Sequence, residues 1–566
     1  MSTPVFRSLV PYERTWLRGD LIAGITVWAV LVPEALAYAS IAGVSPVVGL
    51  YAAPGALLLY AAFGSSRHLV VGPMSATAAL SAATVAKLAA GGSSLFTQLT
   101  IALALMTGLS ALVAGVLRLG FLANYISEPV IKGFIVGLAL TIIAGQLPKL
   151  FGVPKGTGDF FEQIWDLLKH LGDTSGTTLL VGLLSLAIVL GVRQFAPVVP
   201  ASLVAVIFGV AAVKLFNLDD HGVEIVGHID RGLPHLGLPN DVSGHDYLDL
   251  AGPAIGVMLV GFAEGLGAAK TYAAREHYEI DVNRELIGLG TANLAAGLSS
   301  GMVVNGSLSK TAVNGTAGAR SQLSGLVVAA LTIVTLLFLT GLFEDLPEAT
   351  LAAVVIAAVI ELVDVQSLVR LYRIFYGPVG RRFGLVVRPD FVAAIAAMLG
   401  VLVFDTLPGL FIGIAVSLFL VLYRASTPHV AVLGRVPGTD GHYADLGRDP
   451  RIEPIAGVLV LRPESGLFFA NADHVRTEIL SRVAETRPKT VVLDAETMPY
   501  VDVTAVTMLD ELAETLERED VRLVFARNIG NVRDVVSRAG GIRVAVYPTV
   551  REAIAALEHP TDGNGT

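Results

Sequence analysis

Lys310 stands in "VVNGSLSKTAVNG" (303–315), a polar, Gly-containing stretch set between two long apolar ones. A full positive charge flanked by Ser307, Ser309 and Thr311 in such a place is suited to holding an anion. A second stretch, "VVGPMSATAAL" (70–80), offers Ser75 and Thr77 behind a Gly-Pro pair. Both stretches begin Val-Val, break at Gly-Pro or Asn-Gly, and continue through small and hydroxyl residues. At such a break an extended segment ends in mid-membrane and a half-helix begins. Half-helices starting near Pro73 and Gly306 would direct their N-termini at each other, each presenting unpaired N–H groups and roughly half a positive charge. That arrangement binds anions before any side chain is added. The cargo read from these residues is an anion.

Two carboxylates belong to the same pattern. Glu34 lies in "PEALAYA" (33–39) and Glu264 in "AEGLGAA" (263–269), both Glu-small-Leu-small-x-Ala. The Val-Val stretches follow them after about 36 and 39 residues. An acid in mid-membrane is costly when charged and is usually functional, so Glu264 is read as the group that carries a proton with the anion. The alternative is a fixed counter-ion of Lys310. Glu34, after Pro33, is read either as a second coupling acid at a helix break or as a carboxylate satisfying the N–H groups freed there. Tyr38, one turn further on, either lines the pocket or packs. Lys310 faces the substrate, or snorkels to an interface if its helix is shifted by a turn; the serines and threonines bind, or pack small-residue helix contacts. Asp281, Asn283 and Glu285 in "DVNREL" are read as loop residues, Asp281 capping the next helix, and not as a metal site.

These residues need a membrane scaffold. The chain has 566 residues, 54% hydrophobic and 15% charged, against roughly 25% charged in soluble domains. About fourteen apolar segments recur between positions 20 and 425, centred near 30, 55, 80, 108, 137, 186, 207, 258, 292, 313, 332, 355, 397 and 417, and a span needs about 20 residues. The matched pairs imply two seven-span units; seven is odd, so the copies are inverted, as in secondary transporters with interrupted helices. Arg7, Arg14 and Arg18 precede the first span, and Arg67, Arg118, Arg193, Lys270, Arg275, Arg284, Arg320, Arg370, Arg373, Arg381, Arg382 and Arg388 fall in even-numbered loops. Odd-numbered loops are poorer in cations and include "FEDLPEAT" (343–350) and Asp405. The positive-inside rule therefore places both termini in the cytoplasm. No cleavable signal peptide is read at the start. With no cysteine there is no thiol chemistry, and an Ala/Gly/Val-rich chain of this kind fits a bacterial inner membrane.

Beyond about residue 430 the pattern changes to a soluble α/β unit. Strand-like runs at 457–462, 490–495 and 521–527 alternate with amphipathic helices at 472–485, 503–518 and 530–538, and 559–566 read as a disordered tail. Residues 430–566 hold 21 acidic and 15 basic side chains, two thirds of the net charge of −9. No basic, aromatic-interleaved face points to nucleic acid, and neither a nucleotide-binding Gly-Lys loop nor a catalytic dyad points to an enzyme.

The stretches at 16–51, 72–77, 281–298 and 306–320, with the C-terminal unit, together resemble the sulfate permease (SulP) anion transporters carrying a STAS domain. The resemblance implies fourteen helices in a seven-plus-seven inverted repeat, a core (spans 1–4 and 8–11) moving like an elevator against a gate (spans 5–7 and 12–14), an anion between half-helices 3 and 10, and a homodimer. In this chain the core would comprise most of 20–148 and 249–342, the gate 149–248 and 343–426, and the STAS domain 430–558, after a cytoplasmic N-terminus at 1–19. Members commonly carry glutamine in place of Glu34 and arginine in place of Lys310; the lysine lacks the planar fork that matches oxyanions. In sodium-coupled members a hydroxyl follows the Glu264 position by one turn, where this chain has Ala268, which points to protons instead. Thr504 in "VDVT" occupies the place of a phosphorylated residue in stand-alone STAS domains, or simply starts a helix. The resulting expectation is proton-coupled uptake of sulfate or a similar oxyanion through the inner or plasma membrane, using Pro73, Ser75, Thr77, Gly306, Ser309, Lys310, Thr311 and Tyr38 for the anion and Glu264 with Glu34 for the proton. Bicarbonate or a C4-dicarboxylate, exchange in place of symport, and a channel or sensor role with a cytoplasmic STAS partner are the alternatives.

Overall fold

The computed structural model describes residues 5–558 except 122–126, 157, 197–198, 361–362, 375–388, 405, 440, 528–529 and 539–543. The tail at 559–566 and the charges Arg381, Arg382, Arg388 and Asp405 lie outside the described residues. The chain divides into two units at Ser417 and Leu418.

The first unit carries the apolar helices. In its first half they are α1 (Leu17–Ile41), α2 (Pro46–Phe63), α3 (Ser75–Val85), α4 (Ser94–Val116), α5 (Glu128–Phe151), α6 (Gly176–Phe195) and α7 (Ala201–Phe216). The second half has α8 (Gly244–Arg275), α9 (Val282–Leu298), α10 (Leu308–Thr316), α11 (Leu323–Leu342), α12 (Glu348–Ile360), α13 (Pro389–Phe404) and α14 (Thr406–Ser426), which runs into the second unit. Each of the fourteen centres read from the sequence falls inside one of these helices. Among the described residues nine helices are long and apolar enough to cross a membrane unaided. By contrast, α3 and α10, at 11 and 9 residues, rise only about 14–17 Å and are half-helices. The helix α11 passes through a π-turn at Thr335–Leu339, where Trp28 Nε1 donates to Thr335 Oγ1 at 3.0 Å.

Packing sorts the helices into two bundles. In one, α9 lies on α2 and α4, and α11 on α1 and α2; in the other, α5 lies on α12 and α13, and α12 on α6. One expectation needs correction. The chain does not break at Pro33, because α1 is a single helix with Pro33 inside it. Proline removes one helical hydrogen bond, a loss tolerated in membrane helices where neighbouring segments compensate. Glu34 reaches the interior without a break.

The second unit is a six-stranded sheet in the order β4-β3-β5-β6-β7-β8, formed by β3 (Val430–Arg435), β4 (Tyr443–Asp445), β5 (Val458–Pro463), β6 (Thr490–Asp494), β7 (Arg522–Ala526) and β8 (Ala545–Tyr547). Strands β5 to β8 are parallel, while β3 and β4 form an antiparallel edge. Helices Ala472–Thr486 and Val503–Arg518 cover one face through Val475, Ile479, Leu509 and Leu512. Asp494, fully buried at the end of β6, is held by Arg527 Nη2 at 2.5 Å and Nε at 3.0 Å. Thr504 is exposed in the first turn of Val503–Arg518, which Asp502 caps through Ala505 N at 2.8 Å.

Candidate anion site between two half-helices

The two Val-Val stretches meet. Strand β1 (Val70–Gly72) pairs antiparallel with β2 (Asn305–Ser307), Val71 opposite Gly306. The half-helices α3 and α10 follow at once, and Ser75 and Leu308 each start a helix five residues after their Val-Val pair begins. The repeat seen in the sequence is therefore in register in three dimensions.

A two-stranded ladder buried within a membrane unit leaves two outer edges whose backbone groups need partners. Side chains supply them. Asn293 on α9 donates Nδ2 to Val304 O at 2.9 Å, and its Oδ1 accepts Val304 N at 3.0 Å. On the other edge Thr311 Oγ1 accepts Val70 N at 3.0 Å, Gln322 Nε2 donates to Leu69 O at 2.9 Å, and Asn314 Nδ2 donates to His68 O at 2.9 Å. The approach of α8 to this ladder requires glycine. A Cβ on Gly265 would lie 3.0 Å from Asn305 Oδ1, and one on Gly306 would lie 3.1 Å from Gly265 Cα. Asn293→Leu should orphan two buried backbone groups, each worth about 1–3 kcal/mol. A thermal midpoint several degrees lower, read by tryptophan fluorescence in detergent, is the expected result; an unchanged midpoint would mean that Val304 finds other partners.

Lys310 is fully buried. Its Nζ donates to Glu34 Oε2 at 2.8 Å and to Pro73 O at 3.1 Å, and lies 5.0 Å from the Tyr38 ring centroid. The lysine of the second repeat thus reaches across to the break of the first, and its counter-ion is Glu34, not Glu264. Glu264, on α8, is half-buried and has neither a hydrogen bond nor an ion pair among the described residues, although it lies close enough to Lys310 to feel its charge. Ser307 Oγ caps α10 by accepting Lys310 N at 3.2 Å and shares a hydrogen bond with Ser309 Oγ at 3.1 Å; Ser309 itself is exposed. Ser75 is buried in the first turn of α3, and the buried Thr77 hydroxyl donates to Met74 O at 3.3 Å. Of the hydroxyls named from the sequence, Thr311 serves the ladder and Ser309 faces open space. Gly306 lies within β2, paired with Val71.

With both acids ionised, Lys310, Glu34 and Glu264 together carry one net negative charge. The two facing N-termini return about half a charge each, so the site is close to neutral. An anion entering it makes the centre negative unless a proton enters too.

Two features were missed in the sequence. Asn293, Asn314 and Gln322 are the polar staples of the ladder, and a lone amide in an apolar span is the signal that was available. Arg193, used above only to mark sidedness, sits in the last turn of α6, donates Nη1 to Ala357 O at 2.8 Å, and lies within electrostatic range of Tyr38. At "DVNREL", Asp281 caps α9 through the N–H groups of Asn283 and Arg284, both at 3.1 Å. Glu285 is a buried anchor, accepting Tyr60 Oη at 2.8 Å, Ser65 N at 2.7 Å and Ser66 N at 3.0 Å, and so positions the turn that leads into β1.

Comparison with known proteins agrees with this geometry. The sulfate permease family model matches residues 17–377 and the STAS domain model residues 449–553. A probable sulfate transporter of Mycobacterium tuberculosis is 37% identical over 531 residues, covering 93% of this chain and 92% of the relative. High affinity sulfate transporter 2 of Stylosanthes hamata is 31% identical over 577 residues, covering 96% and 84%. Among solved structures, the murine solute carrier 26 member A9 anion transporter in its inward-facing state superposes with a TM-score of 0.85 at 24% identity, covering 97% of this chain and 93% of that one. The transmembrane domain of a cyanobacterium bicarbonate transporter gives 0.61 at 24%, covering 71% and 98%. These structural likenesses carry the fold, seven spans inverted onto seven. With the family match spanning the membrane unit and the interrupted helices meeting as they do, the chain belongs to the sulfate permease family, as a multi-pass anion transporter with a C-terminal STAS domain.

Proposed function

We propose that this protein is a secondary active transporter that takes up sulfate, or a similar oxyanion, together with protons. The observation that carries this reading is the charge balance between α3 and α10: one lysine, two carboxylates, and one of those carboxylates with neither a hydrogen bond nor an ion pair among the described residues. Lys310, Ser75, Ser309 and the N–H groups at the two helix starts hold the anion, with Thr77, Pro73, Gly306, Thr311 and Tyr38 shaping the site. Glu264 carries the proton, and Glu34 sets how much of the lysine charge the anion meets. The bundle of α1–α4 and α8–α11 moves against that of α5–α7 and α12–α14, carrying the anion across as an elevator. Both termini and the STAS domain are cytoplasmic in an inner or plasma membrane, as the arginine-rich even loops imply, and the working unit is a homodimer.

The pairing of Lys310 with Glu34 favours one alternative cargo. With the lysine already neutralised, a monovalent anion such as bicarbonate is easier to admit than a divalent one. Uptake of labelled sulfate, bicarbonate and succinate into proteoliposomes, with and without an inward proton gradient, tests both readings. Gradient-driven sulfate uptake is expected. Gradient-independent uptake that depends on a trapped counter-anion would make the protein an exchanger.

A further inference from the structure

A second concave space opens beside α3, away from the breaks where the two half-helices begin. It is a chamber of about 490 Å³ between the first bundle and the second. Its core-side wall is one face of α3, formed by Ala79, Ala82, Ala83 and Ala86. Thr141 and Gln146 on α5 form the opposite wall, with Phe404 and Thr406 at the junction of α13 and α14. Its charged groups among the described residues are two lysines and one carboxylate. Lys87 enters from the turn after α3 and Lys155 from the loop after α5, beside the amides of Gln146 and Gln163. The one carboxylate of the lining among the described residues, Asp159, is engaged in a capping box, accepting Glu162 N at 2.9 Å.

Lys155 has neither a hydrogen bond nor an ion pair among the described residues. Solvent reaches it, yet the chamber walls desolvate its ammonium and the Lys149 charge repels it, and in that order these lower its pKa. Lys149 already has its own partner, Glu348, at 3.0 Å. An anion at Lys155 would relieve both penalties at once. The chamber also leads somewhere: Ala79 is four residues from Ser75, about 6 Å along the helix.

We propose that this chamber is a separate binding site for small oxyanions, an anteroom in which Lys87 and Lys155 collect the anion before it passes along the alanine face of α3 to Lys310. The inference rests on the anion-transport reading above for the direction of passage, but not for the binding itself. Two lysines over a concave, partly dehydrated space raise the local anion concentration, and the alanine wall leaves room without a competing acceptor.

Because the chain has no cysteine, Ala83→Cys places a single reporter thiol in the chamber. In nanodiscs, a sulfonate-bearing methanethiosulfonate should modify it at least about tenfold faster than a trimethylammonium-bearing one of similar size. Lys87→Gln with Lys155→Gln should bring that ratio to about one, while the paired Lys→Arg changes keep it. Tens of millimolar sulfate should slow the reaction, and should still do so when Lys310→Met has disabled the central site. A ratio near one in the parent, or protection that disappears with Lys310→Met, would overturn the proposal, the latter by moving the anion to the central site. Protection that survives in a chain whose proteoliposomes transport no oxyanion would sink the transport reading and leave the chamber standing.

Discussion

With Glu264 replaced by glutamine, an inward proton gradient is expected to stop driving anion accumulation, while exchange of labelled for unlabelled anion continues. The side chain is half-buried on α8 and has no hydrogen bond or ion pair among the described residues. A carboxylate that stabilised the fold would have gathered donors, as Glu285 has with Tyr60, Ser65 and Ser66. Glu264 has gathered none, yet it stands within reach of the Lys310 charge. The coupling role proposed for Glu264 rests on that position. The size of the effect follows from the gradient. Each pH unit is worth about 1.4 kcal/mol per proton, so a two-unit gradient, acid outside, supports up to about 100-fold accumulation for one proton per anion. The glutamine is neutral at every pH and should bring this to about one. The sign is testable too: uptake by the parent should rise as the outside is acidified, and the variant's should be flat. Accumulation by the variant that still follows the gradient would move the coupling to Glu34 or elsewhere.

What was legible in the sequence was whatever depends on local pattern. Fourteen apolar runs became fourteen helices, and the Gly-Pro and Asn-Gly breaks became the approaches to α3 and α10, because hydropathy and helix-breaking residues act over a few positions. In the second unit the strand and helix runs held to within a residue or two, while β3, β4 and β8 went unread. Strand β3 follows directly on an apolar span, and β4 and β8 are three residues long, too short for alternation to register. The site was half legible. Its parts were named, since an internal repeat needs no contact to be seen. Their pairing was not, because nothing local joins Lys310 to Glu34 across 276 positions. Burial decides that match: an ammonium enclosed on all sides must find an acceptor, and α1, running unbroken through Pro33, brings Glu34 to it.

The pairing makes the second large prediction. Lys310→Met should abolish uptake by at least about 100-fold, and the reason can be separated from a folding defect. Removing one member of a buried pair leaves the other charged and unpaired, at a cost of about 3–5 kcal/mol. Lys310→Met alone should therefore lose both transport and thermal stability. Glu34→Gln keeps an acceptor for Nζ but removes the competing charge, so its anion affinity should rise by about tenfold, the increment of 1.4 kcal/mol. That estimate is small beside the ~4 kcal/mol that two charges 4 Å apart exchange in a partly screened interior, because the amide still occupies part of the lysine. The double variant Lys310→Met with Glu34→Gln closes the cycle. With no orphaned charge its thermal midpoint should return towards that of the parent, and its transport should not. If the double variant transports, Lys310 is a partner of Glu34 and nothing more, and the anion is held by the two helix N-termini alone. If Glu34→Gln weakens binding, the anion reads the carboxylate itself, in its protonated form, and Glu34 is the coupling acid that the sequence also named.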